Sequence, residues 1–128
     1  MSASPASALD AIAFQLAVAL DRYALDGDAL VRRWPDMALY AAFSQQMDAL
    51  RMYCNTLPEL SIPAVSLLIA HAELVHCLWK SQSSPLFDRA TLDAARDEHH
   101  RAVGTLRRQC LRLLVDGAAG RAHGQAAA

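Results

Sequence analysis

Apolar residues recur every third or fourth position along four long stretches of this 128-residue chain. Side chains spaced that way share one face of a helix, so the chain has to fold as helices packed through apolar seams. Between residues 7 and 26 the stripe is Leu9, Ile12, Leu16, Leu20 and Tyr23. From Asp36 to Thr56 it is Leu39, Phe43, Met47, Leu50 and Cys54, with Leu57 beyond. From Asp88 to Val115 it is Leu92, Ala95, His99, Val103, Leu106, Cys110 and Leu113. The remaining stretch, Ser61 to Lys80, sets Ala64, Leu67, Leu68, His71, Leu74, Val75, Leu78 and Trp79 on one face and Glu73 on the other. Alanine and leucine dominate while β-branched residues are sparse, so local preference agrees with the seams.

The breaks between helices are short. Gly27 suits a left-handed helix end, and Asp28 can cap a short amphipathic helix, DALVRRW, that leads to Pro35. Pro58 stops the second long helix, Ser61 caps the third, and SQSSP is the last turn. Brief connections make sequential helices antiparallel neighbours. The expected fold is therefore all-α: an up-down-up-down antiparallel four-helix bundle with a short extra helix between helices one and two. Residues 1–6 are expected to form a flexible N-terminus, 7–116 the bundle, and 117–128 (GAAGRAHGQAAA) a disordered tail.

Composition narrows the function classes. A chain 54% hydrophobic and 20% charged is too apolar for disorder, and a net charge of −1 draws it neither to nucleic acid nor to anionic membranes. The apolar N-terminal run lacks a preceding base and is interrupted by Asp10 and Gln15, unlike a secretory signal. No window holds the roughly eighteen uninterrupted apolar residues of a membrane span. Cys54, Cys77 and Cys110 form no CxxC pair and suit reduced thiols, so a cytoplasmic location is expected. Lys80 is the single lysine among many arginines, a usage that suggests bacterial coding.

The run LLIAHAELVHCLW, residues 67–79, carries the candidate chemistry. Glu73 and His76 have the ExxH spacing of di-iron bundles, whose ligands must project inward. Helix geometry turns Glu73 outward, and the seams of helices one and two supply no carboxylate, so that site does not form. His71 lies mid-face instead. Antiparallel registration brings it within a turn of His99, with Met47 at the same level. An imidazole and thioether layer of His71, His99 and Met47 suits copper(I) or axial haem ligation. The simpler expectation is a neutral, hydrogen-bonded core histidine and no cofactor.

No activated nucleophile or phosphate loop is present in the sequence, so no enzymatic activity is expected. Arg101, Arg108 and Arg112 line the outer face of helix four with no acid among them, and Arg32 and Arg33 precede Trp34. In a chain of balanced charge these arginines fit a solvated face or an acidic protein partner better than nucleic acid. Phe14, Val18 and Leu25 repeat on helix one opposite its core stripe, and Ile62 and Ile69 do so on helix three. Second apolar stripes mark contacts. The expected function is a non-catalytic interaction module, an adaptor or regulator binding a protein partner or itself as a homodimer. The competing intrachain explanation folds DALVRRW back over the helix-one stripe, with Trp34 as lid.

Overall fold

The computed structural model describes residues 5–127, with side chains placed for residues 8–120. Among the described residues there are four α-helices, a single 3-10 turn and no strand. Helix α1 spans Pro5–Arg32, α2 Met37–Asn55, α3 Ser61–Ser83 and α4 Arg89–Ala127, and the 3-10 turn, Pro58–Leu60, precedes α3. The helices pack as a bundle in which α1 lies against α2 and α4, and α4 also lies along α3. The α2 and α3 pair touches only lightly. Arg96 and His100 reach Asp28, Arg107 reaches Asp21 and Cys110 reaches Ala13, so α1 and α4 run in opposite directions.

The seam of α2 is buried as its spacing requires: Phe43, Met47, Leu50 and Cys54 face inward, and Leu57 follows them. Asp36 caps this helix, its Oδ1 accepting from the amides of Ala38 and Leu39 at 3.1 Å. On α4, Leu92, Ala95, His99, Val103, Leu106 and Cys110 are buried, and Leu113 partly so.

Three expectations need correction. Gly27 does not end the first helix, and no extra helix separates it from the second. Residues 28–32 are the last turn of α1, and no glycine has positive φ. Gly27 is placed by packing: a Cβ there would sit 2.9 Å from Phe43 Cε1. Ser61 is not the cap of α3, because the 3-10 turn leads straight into the helix and Leu60 takes that place without a side-chain bond. Finally, α4 runs on to Ala127, through the stretch expected to be a disordered tail. Its alanines favour helix strongly enough to carry the interspersed glycines. Of the expected N-terminal tail, residues 1–4 lie outside the described residues, and Pro5 already opens α1.

Helix α3 is rotated from the expected face. Pro63, Leu67, Ala70, Leu74, Cys77 and Leu78 are its buried residues, which leaves His71 half-buried at the border on the α2 side. Glu73 points outward, as the rotation arithmetic requires. Within Pro58–Ser83 an 18-residue window has a mean hydropathy of 1.5, so the segment is long and apolar enough to cross a membrane by length and composition. Much of that apolar character lies outside the core, on exposed Ile62, Val65 and Ile69.

Candidate functional site

Tyr23 is fully buried, and a buried phenol hydroxyl needs a partner. It has two. Its Oη lies 2.7 Å from His71 Nδ1 and 2.7 Å from His99 Nε2, joining α1, α3 and α4 through one oxygen. Phe43 of α2 closes the layer, stacking on Tyr23 at 4.5 Å and on His71 at 4.7 Å between ring centroids. Gly27, one turn beyond Tyr23, leaves the space that the Phe43 ring edge occupies.

The hydroxyl has one proton to give, so it donates to one imidazole nitrogen and accepts from the N–H of the other. Burial pushes both histidines down to about 4. The charge of Asp48 partly opposes this at His71. At His99 the neighbouring His71 and His100 add to it, and Asp28 opposes it. Burial also drives the Tyr23 phenol far above its ordinary value. The layer is therefore neutral at pH 7. It can take one proton and keep both hydrogen bonds, but a second leaves the hydroxyl proton without an acceptor.

The sequence brings His71 and His99 together correctly, with ring centroids 6.5 Å apart. It misses the tyrosine between them. Phe43, one turn before Met47, is the α2 side chain that stacks on the histidine layer, and Met47 is buried in the core beside it. The two nitrogens that converge are both engaged by Tyr23, so a metal there would have to displace the hydroxyl or take it as a ligand. Among the described residues no three His, Cys, Asp or Glu side chains gather with metal-binding geometry.

Asp28 borders this layer. Burial raises its carboxyl, but the hydrogen bond and charge of His100 Nε2 at 2.8 Å, with Arg96 at 3.6 Å, outweigh that and hold it below its ordinary value. All three cysteines are free and buried. Burial, with Cys110 adding, pushes the Cys54 thiol up to about 11, and burial raises Cys77 and Cys110 as well. None has the lowered pKa of a reactive thiol.

The expected interaction face divides in two. Phe14, Val18 and Leu25 are 61%, 54% and 67% exposed on the outside of α1. The proposed lid does not cover them: residues 28–32 belong to α1, and Trp34 packs edge-on against Tyr40 and Trp79. On α4, Arg101 and Arg112 are exposed, as is Arg108, and no acid lies among the three, but acids just before them reach the face. Glu98, three residues before Arg101, pairs with it at 2.5 Å, and Arg108 bonds Thr105 Oγ1 at 3.2 Å. Two of the three arginines are thus held by neighbours on their own helix. Comparison of the chain with known protein families, curated proteins and solved structures gives no match.

Proposed function

We propose that this protein is a non-catalytic interaction module that self-associates through the outer face of α1. The observation that carries the reading is the exposed stripe of Phe14, Val18 and Leu25, which no part of the described chain covers. An antiparallel two-fold contact centred between Asp21 and Arg22 would set Val18 of one copy against Leu25 of the second. It would also set Arg22 of one against Asp21 of the second. Both charged residues are exposed on α1, and each already has a partner within its own chain, Asp21 in Arg107 at 2.7 Å and Arg22 in Asp26 at 3.3 Å, so the register rests on shape, with the charges only sharing existing pairs.

Fully burying a large apolar side chain returns roughly 1.5–3 kcal/mol. Three such residues per copy, already part-covered, give about 5–10 kcal/mol for the pair. Lost translational and rotational freedom costs about 4–15 kcal/mol. The contact is consequently weak and concentration-dependent, suited to exchange for a protein partner. Sedimentation equilibrium tests this directly. Wild type should exceed its monomer mass of 13.9 kDa as concentration rises, and a folded Val18→Glu variant should not. A wild type monomeric at every concentration would overturn the reading.

A second reading follows from the convergence of His71 Nδ1 and His99 Nε2 on one point. It is a metal- or haem-binding bundle using these histidines with Met47. Visible absorption and metal analysis of the purified protein separate it from the first reading, which requires neither colour nor metal.

A further inference from the structure

The end of the bundle where α1 and α3 finish and α4 begins holds a cavity of about 580 Å³. Its cationic lining residues are Arg32, Arg89 and Arg96, and no carboxylate lines it. Arg32 and Arg89 have no ion-pair partner among the described residues, whereas other exposed arginines nearby, such as Arg33 with Asp36 at 3.1 Å, are paired. Arg96 shares Asp28 with His100, so its charge is only partly spent. Two buried donors in the same wall, Trp34 Nε1 and Arg96 Nε, have no acceptor. The rest of the lining is apolar or hydroxylic, with Trp34 and Phe87 as its aromatic rings and Ser81 and Ser84 as its hydroxyl residues.

We propose that this cavity binds a small organic phosphate with a planar apolar body. Unpaired guanidiniums in a cleft without acids select an anion, and their forked donors match a phosphate better than a point charge does. The N-terminus of α4 adds positive potential at Arg89, although Asp88 already takes the amide of Ala90 at 3.0 Å. The ends of α1 and α3 contribute the opposite sign, so the arginines and not the helix dipoles carry the recognition. The volume lies within the range of roughly 300–1,000 Å³ typical of small-molecule sites, far beyond what a bare phosphate fills. The two rings and the aliphatic lining give the body of the ligand its place. This inference is independent of self-association, since Phe14, Val18 and Leu25 do not line the cavity.

Trp34 and Trp79 are the two tryptophans, and they pack together at 4.9 Å between ring centroids, so intrinsic fluorescence reports this end of the bundle. Titration of the full chain with phenyl phosphate should give a saturable change that weakens as salt rises. Inorganic phosphate should bind more weakly, because it lacks the apolar body, and benzoate more weakly because it carries a single charge. The double variant Arg32→Gln with Arg89→Gln should lose about tenfold or more in affinity, roughly 1.4 kcal/mol per decade. Arg51→Gln, on α2, should bind as wild type does. Both arginines are exposed, so far-ultraviolet circular dichroism should show the double variant folded. Absence of saturable binding by phenyl phosphate, or undiminished binding in the double variant, would overturn the site. Benzoate or inorganic phosphate binding as tightly as phenyl phosphate would overturn the ligand class.

Discussion

Replacing Tyr23 with Phe removes one oxygen and leaves two imidazole nitrogens, His71 Nδ1 and His99 Nε2, without their partner. The ring itself stays, so its stacking on Phe43 is kept and the change isolates the hydroxyl. Each orphaned buried polar group costs about 1–3 kcal/mol. His99 is 3% exposed and bears the full penalty, whereas half-buried His71 can recruit water and bears less. The sum is about 2–4 kcal/mol, a large share of the roughly 5–15 kcal/mol that holds a domain folded. Urea unfolding at pH 7, followed by circular dichroism, measures it as a lower midpoint at unchanged slope. His71→Leu is the matched control. It leaves Tyr23 bonded to His99 and exchanges a partly buried imidazole for an apolar group, so its stability should stay within about 1 kcal/mol of wild type. A Tyr23→Phe loss below about 0.5 kcal/mol, or a larger loss in His71→Leu, would refute the shared-hydroxyl argument.

Acid should act on the same layer. Both histidines are held near pH 4 in the fold against about 6.5 unfolded, so the unfolded chain binds more protons between those values. Their stabilising contribution is complete above pH 6.5 and is lost as pH falls toward 4, which a pH series of urea midpoints should show. Gly27→Ala gains about 1 kcal/mol of helix propensity, yet its Cβ meets Phe43 Cε1 at 2.9 Å and Cζ at 3.3 Å. That ring is fully buried and packed against both Tyr23 and His71, so the variant should be destabilised by about 1–2 kcal/mol in thermal unfolding. Replacing Arg101, Arg108 and Arg112 together by Gln should leave the thermal midpoint nearly unchanged, because exposed pairs contribute little.

How much could be read in the chain differs by element. The seams of α2 and α4 were legible because each helix has one apolar stripe and a polar remainder. Helix α3 has apolar residues on both sides, with Ile62, Val65 and Ile69 outward, so its spacing alone does not fix which face packs. The misplacement of His71 as mid-face follows from that. Gly27 taken locally signals a stop, although the core spacing Leu16, Leu20, Tyr23, Gly27, Leu30 continues through it in steps of four and three. That periodicity outweighs the single glycine, and the helix runs unbroken to Arg32. The pairing of His71 with His99 came from antiparallel registration. Tyr23 has the spacing of any seam residue, and its signal is chemical instead: a buried phenol on the same layer as two core histidines needs a partner. The arginine cavity is not legible, because it draws on three helices and two connections with no shared spacing.

The claim that the outer face of α1 is an interface between copies is tested most directly at Val18 itself. Its methyl resonances can be followed by NMR in the presence of a soluble paramagnetic agent, at increasing protein concentration. In dilute solution the agent should relax them strongly, since Val18 is 54% exposed in the single chain. The relaxation should fall as concentration rises, while that of exposed Ala49 on α2 stays constant. Equal relaxation of Val18 at every concentration would contradict the proposed contact.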